Sequence, residues 1–299
     1  MIWLIGNRGM LGSDVEKLLK NKKFEYIATD VEVDITRYEA LKDYVEEKNI
    51  EWIINCAAYT AVDKAEDEKE LAYKVNAAGA ENLARICKDI GSKLIHISTD
   101  YVFDGQKDGA YTEDDIPNPI NVYGKSKLEG EEFIKSIAED YYIIRTSWLY
   151  GKNGNNFVHT MIRLFNHKDE IGVVSDQWGT PTYTKDLSNV ILRIVEIDNN
   201  AFGIYHFSNA GVRAESDKNV EVGITWYDFA KEIYRVSKEC GIINSDVKIR
   251  PIKTEDYPTK AKRPKNSLLS KDKIKKTFGI EIRSWQEALK DFIINDLSG

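Results

Sequence analysis

The apolar positions of the first half fall into short, nearly unbroken runs separated by longer segments of helical period. Residues 2–5, 25–29, 52–56, 94–98 and 142–146 read as strands, rich in isoleucine, tyrosine and tryptophan. Residues 10–20, 38–48, 68–91 and 124–137 repeat apolar side chains at spacings of three and four, which predicts amphipathic helices. Apolar strands separated by helices imply an α/β fold, a doubly wound parallel sheet covered on both faces. Such sheets bind ligands at the carboxyl ends of their strands. After Trp148 the rhythm changes. Helices fit 156–165, 186–196, 225–240 and 284–296, with intervening loops rich in Gly, Asn, Thr and Pro, and residues 248–276 are locally basic.

Glycines 6, 9 and 12 follow the first strand directly and open the first helix. Glycine lets the backbone turn tightly and approach a pyrophosphate, whose charge the helix N-terminus favours. Gly6, Arg8, Gly9, Met10, Leu11 and Gly12 are therefore candidates for holding a dinucleotide, and the sheet reads as Rossmann-type. Asp30 ends the second strand, 18 residues beyond Gly12. Its carboxylate can accept both ribose hydroxyls of NADH and repels a 2′-phosphate, while Arg8 can offset that repulsion in NADPH. A turn residue or helix cap is the plainer account of Asp30. Asp34 and Ile35 can border the adenine. Ala57, Ala58, Tyr59 and Thr60 end the third strand with small residues that admit a cofactor, or form an ordinary strand-to-loop junction. The expected division is a dinucleotide-binding domain over 1–150, with some later elements returning to it. Residues 151–299 are then a smaller α+β substrate-binding lobe.

The fourth strand ends at Ser98-Thr99-Asp100, and Tyr123 lies one helical turn before Lys127. Tyr-x-x-x-Lys also occurs from Tyr38, Tyr44, Tyr227 and Tyr234, where a packed ring beside a solvated lysine is sufficient explanation. Context separates Tyr123, because a buried strand with a hydroxyl at its end precedes it. A free tyrosine has a pKa of about 10, so a nearby ammonium that favours the phenolate should make it a better acid. A phenol, an ammonium and the Thr99 hydroxyl suit proton delivery to a carbonyl oxygen while hydride arrives elsewhere. A surface pair and a strand-end threonine are the alternative.

A net charge of -7 argues against nucleic acid or an anionic membrane as partner. Cys56, Cys87 and Cys240 lack metal-ligand spacing and fit a reducing cytosol, and the four histidines are scattered, so no metal is expected. No apolar run reaches membrane-spanning length, and residues 1–5 read as a first strand and not a signal peptide.

Residues 6–12, 55–66, 98–103, 121–127, 145–150, 154–157, 176–182 and 263–268, with Tyr257 and Pro258, together resemble the extended short-chain dehydrogenase/reductase superfamily. Within it the resemblance is to the dTDP-4-dehydrorhamnose reductase family. It implies a cytoplasmic enzyme of dTDP-rhamnose and polysaccharide biosynthesis. That enzyme reduces the C4 keto group of dTDP-4-dehydro-β-L-rhamnose with NADPH or NADH. Tyr123 is then the proton donor, and Lys127 supports it and binds the cofactor. Thr99 and Asp100 contact the sugar with Trp148 beside it, and Ile97 joins the dinucleotide site. Trp148 fits equally as a core aromatic. Arg263 is the candidate for the diphosphate, since a guanidinium fork matches phosphate oxygens, though a solvated surface arginine is the alternative. Asn156 is a substrate contact or a helix cap.

Two departures stand out. The polar segment 212–222 is longer than the family's usual connection. Some members bind Mg²⁺ through acids at a dimer contact; here Asp14 fits, but Lys185 stands where another acid is expected. Monomer and homodimer both remain open. A 4,6-dehydratase needs a second acid after Thr99-Asp100, where this chain has Tyr101. The other rivals are a 4-epimerase, a 4-ketoreductase of a different sugar, and a non-catalytic regulatory homologue.

Overall fold

The computed structural model describes residues 1–213 and 221–297. Its centre is a parallel sheet of six strands. Five are β1 (Ile2–Ile5), β2 (Tyr26–Thr29), β3 (Trp52–Asn55), β4 (Lys93–Thr99) and β5 (Tyr141–Thr146). The sixth, Gly203–Phe207, pairs with β5, and the order across the sheet is β2, β1, β3, β4, β5, then this sixth strand. The chain reverses direction across the sheet between β1 and β3, and a crevice opens there above the carboxyl ends.

Both faces of the sheet are covered, which is why its strands are largely apolar, with the polar side chains they carry, such as His96, Ser98 and Arg145, buried. Ile2 and Leu4 of β1 point to one side, into a core shared with α1 (Met10–Asn21) and the helices Thr184–Ile197 and Asp272–Phe278. Trp3 and Ile5 point to the other side, against α2 (Tyr38–Val45) and the helices Gly79–Ile90 and Val122–Ile137. A second core lies beyond β5. The helices Phe157–Phe165, Trp226–Glu239 and Trp285–Asp291 pack there around a parallel pair, Glu170–Val174 with Lys248–Ile252.

Three elements differ from the sequence expectation. The strand Gly203–Phe207 carries a glycine and a histidine amid loop-like residues, but pairing with β5 buries Tyr205, His206 and Phe207, and tertiary packing decides. The helix Asp272–Phe278 lies in the basic stretch because Ile274 and Phe278 reach the core while its lysines stay outside. The helix expected over 68–91 is Lys69–Tyr73 and Gly79–Ile90 joined by a widened turn, Lys74–Ala78, around buried Asn76. In the segment 212–222, Val212–Arg213 pairs antiparallel with Glu221–Val222, and 214–220 lie outside the described residues.

The glycine loop closes on itself. Gly6 has φ of +79°, and a Cβ on Gly12 would stand 2.0 Å from the Gly6 carbonyl oxygen. Gly12→Ala is therefore expected to destabilise the protein by about 1–3 kcal/mol, through a strained core contact. A lowered urea midpoint at unchanged slope is the expected observation, and an unmoved midpoint would refute the contact.

Candidate active site

The helix Val122–Ile137 is anchored at its start by a local cap and two long-range contacts. Asn121 caps it, accepting from the Gly124 N–H at 2.8 Å, and donates its amide to the Lys262 carbonyl at 2.8 Å. Glu66 accepts from the Val122 N–H at 2.8 Å. Glycine is required twice along its packed face. A Cβ on Gly124 would meet the Tyr101 carbonyl oxygen at 2.1 Å, and one on Gly130 the Asn76 carbonyl oxygen at 2.2 Å. With the helix so close, Tyr123, Lys127 and Glu131, spaced by one turn each, face β4 and are all buried.

Thr99 stands at the carboxyl end of β4. Its hydroxyl donates to Asp100 Oδ1 at 3.0 Å, accepts from the Tyr101 N–H at 3.2 Å, and acts on the Tyr123 phenol. The Tyr123 ring packs edge-on to Tyr101, centroids 5.6 Å apart. Burial pushes the Tyr123 phenol up to about 12, with the Thr99 hydroxyl opposing and the Asp100 charge adding to the rise. Burial also raises Asp100 to about 6 against its hydrogen bonds. Lys127 donates to the Ile97 carbonyl at 2.7 Å, and burial lowers it to about 8, with Glu131 and Cys56 opposing. The expectation that Lys127 draws the phenol down is thus not met. Loss of water outweighs charge here, and the Lys127 amine is turned onto β4.

Beneath the pair lies a buried ion pair. Arg145 of β5 binds Glu131 through Nη2 at 2.6 Å and through Nε at 3.0 and 3.2 Å. Ser98 of β4 donates its hydroxyl to the same carboxylate.

The crevice at the switch point is a cavity of about 670 Å³ lined by Gly6, Arg8, Gly9, Asp30, Asp34, Ile35, Ala57, Ala58 and Tyr59. It opens onto the start of α1, where Gly9 offers no capping side chain and the first turn holds no acid. Uncapped N–H groups at that helix end fit an anion. Asp30 Oδ2 accepts from the Arg8 N–H at 3.1 Å. The Arg8 guanidinium lies 2.5 Å from Glu32 and 3.7 Å from Asp30, so Glu32 brings a second carboxylate to the end of β2. The remaining loop residues stand back from this cavity. Met10 lies beside Gly154, Leu11 is buried in the core, Gly12 packs on Gly6, and Thr60 is exposed.

A second cavity, of about 700 Å³, is lined by Asp63, Tyr101, Phe157, Gln177, Trp226 and Arg263 among others. Trp148 has the left-handed φ of +47° and stacks on Trp226, centroids 3.6 Å apart. It covers Gly179, where a Cβ would stand 2.8 Å from the indole. The Arg263 fork is filled by Asp63, with both N–O distances 2.7 Å. Asn156 caps its helix by accepting from the His159 N–H at 3.1 Å and donates to the Gly151 carbonyl at 2.8 Å, so both ends of its amide serve the fold. Asp14 accepts from the Thr184 hydroxyl at 2.5 Å, and Lys185 pairs with Asp296 at 2.8 Å. Among the described residues no three His, Cys, Asp or Glu side chains group as metal ligands, and no helix is long and apolar enough to cross a membrane.

The family model for the RmlD substrate binding domain matches residues 1–297. The dTDP-4-dehydrorhamnose reductase of Aggregatibacter actinomycetemcomitans is 42% identical over 294 residues, 96% of each chain. The chain belongs to the dTDP-4-dehydrorhamnose reductase family. Two solved members superpose closely. The Clostridium acetobutylicum reductase is 46% identical with a TM-score of 0.88, covering 98% of each chain. The Bacillus anthracis reductase, solved in complex with NADP, is 40% identical with a TM-score of 0.89, again over 98% of each.

Several residues of this reductase-family site escaped the sequence reading. Glu131 continues the Tyr123–Lys127 spacing by one more turn, a signal that was present. His96, Arg145, Glu32 and Trp226 offered none, because each matters through a partner distant in the chain. Glu131→Gln leaves Arg145 buried without its charge partner, and a loss of about 3–5 kcal/mol in unfolding free energy is expected. A loss below about 1 kcal/mol, the range of surface pairs, would contradict a buried pair.

Proposed function

We propose that the protein reduces the C4 keto group of dTDP-4-dehydro-β-L-rhamnose to give dTDP-β-L-rhamnose, using NADPH or NADH, with Tyr123 as proton donor. The observation that carries this reading is the convergence of Tyr123, Thr99 and Lys127 at the carboxyl end of β4 in a chain of this family. The relatives named as dTDP-4-dehydrorhamnose reductases support the substrate, and the NADP complex of the Bacillus anthracis relative supports the cofactor class.

The uncapped start of α1 and the glycine loop hold the dinucleotide phosphates, and Asp30, Asp34, Ile35, Ala58 and Tyr59 line the adenosine side. When bound, the cofactor supplies hydride to C4 of the sugar. The Thr99 hydroxyl and the Tyr123 phenol receive the C4 oxygen, and Tyr123, held protonated by burial, gives its proton to the forming alkoxide. Lys127 places positive charge behind that transfer and holds the nicotinamide ribose. Asp100 fixes the Thr99 hydroxyl and reaches the sugar, with the Trp148–Trp226 stack as its wall. Arg263 serves the diphosphate only by loosening its grip on Asp63.

Loss of nicotinamide absorbance, with and without dTDP-4-dehydrorhamnose made in situ, tests the reaction. Turnover should require that sugar, and Tyr123→Phe should lower kcat at least about 100-fold with cofactor binding retained. No turnover despite cofactor binding would overturn the assignment in favour of a 4-epimerase, a reductase of another sugar, or a regulator. Because Lys127 carries charge only below about 8, kcat/KM for reduction should fall as pH rises through that value; a flat alkaline profile would remove Lys127 from the mechanism. Arg8 is engaged by Glu32, so Glu32→Gln should free it for a 2′-phosphate and lower the KM for NADPH relative to NADH. An unchanged ratio would exclude Glu32 from cofactor choice.

A further inference from the structure

On the sheet side of Lys127 runs a chain of hydrogen bonds that the reaction above leaves unused. The Ala57 backbone N–H donates to Asn55 Oδ1 at 3.0 Å. Asn55 Nδ2 lies 3.0 Å from His96 Nδ1, and His96 Nε2 lies 3.1 Å from Lys127 Nζ. Lys127 in turn donates to the Ile97 carbonyl at 2.7 Å. Asn55 is 2% exposed, and His96 and Lys127 are 1% exposed.

The direction of this chain is decided at its first link. A backbone N–H can only donate, so Asn55 turns its oxygen to Ala57 and its N–H to His96. His96 Nδ1 accepts, and the neutral ring therefore carries its proton on Nε2, facing Lys127. A neutral amine accepts that N–H with its lone pair and completes the chain. An ammonium has no acceptor and leaves two donors opposed in a dry site. The other ionisable groups around Lys127 are Tyr123 and Glu131 on its own helix and Cys56 after β3. Glu131 favours the ammonium, but Arg145 and Ser98 already occupy its oxygens.

We propose that the Ala57–Asn55–His96 chain sets how readily Lys127 releases its proton, with His96 a positioning residue of the reductase. This rests on the reading that Lys127 serves Tyr123. After Tyr123 has given its proton to the alkoxide, the phenolate must regain one. Lys127, whose amine rests on the Ile97 carbonyl and His96, supplies it by swinging toward the phenolate: an N–H bond breaks, the phenol O–H re-forms, and on its return the freed lone pair accepts the waiting His96 N–H. Water later returns a proton to Lys127.

Two variants and one direct measurement test the chain. In Asn55→Asp, one carboxylate oxygen still accepts from Ala57 while the other accepts from His96 Nδ1–H. The ring then reverses its tautomer, and Nε2 accepts from the ammonium. The alkaline limb of kcat/KM should move up by about one pH unit, a tenfold change in Lys127 acidity. His96→Leu removes the opposed donor without adding charge, and its limb should move up as well. A shift in Asn55→Asp alone would report only the added charge and overturn the proposal. Nitrogen NMR of the wild-type imidazoles reads the tautomer without substrate or mutation. A proton on His96 Nε2 is expected, and a proton on Nδ1 would overturn the chain even if either variant fails to fold. Failure of the rhamnose reading shows instead as no turnover in the wild type, leaving the tautomer unchanged.

Discussion

The Glu131–Arg145 pair governs the geometry of the whole site. Removing two charges from water costs several kcal/mol per ion, and their attraction repays this only in good geometry, so the pair adds little net stability. It does impose register. Arg145 is fixed on β5 and Ser98 on β4, and Glu131 meets both only at one rotation and one height of its helix. Lys127 and Tyr123, one and two turns upstream on the same face, inherit that placement. Gly124 and Gly130 make the approach close enough for the pair to form.

Dehydration sets the protonation states of the reacting groups more than any neighbouring charge does. Tyr123, Asp100 and Lys127 are all displaced toward their neutral forms, burial being the largest cause each time. In the proposed reaction, a site of this kind keeps its phenol protonated until a stronger base, the alkoxide, forms beside it. A tyrosine suits so apolar a place, where a carboxylate of the same reach would itself need a counter-charge.

Local patterns were legible in the sequence, and long-range partnerships were not. β1 to β5 declare themselves because strands covered on both faces are dominated by apolar side chains, with few polar ones to disguise them. Thr99, Tyr123 and Lys127 were readable because a strand end and a single helical turn bring them together. The strand Gly203–Phe207 was hidden, since its burial comes from β5 and not from its own composition. Arg263 and Asn156 could be picked out by type, but their partners Asp63 and Gly151 could not. Lys127 meets His96, and His96 meets Asn55, only once β3 and β4 are paired and the helix is docked.

The sixth strand has a consequence for the order in which the polypeptide can assemble during synthesis. β5 leaves the ribosome long before Gly203–Phe207, so its outer edge waits unpaired through the intervening chain. The helices Thr184–Ile197 and Asp272–Phe278, which cover one face of the sheet, emerge later than the strands they protect. Until they emerge, the nascent sheet carries both an open edge and a face that α1 alone covers only in part, the two features that invite pairing with the wrong chain. Its native closure waits for Ile274 and Phe278, which join the core from far downstream of the strands they cover.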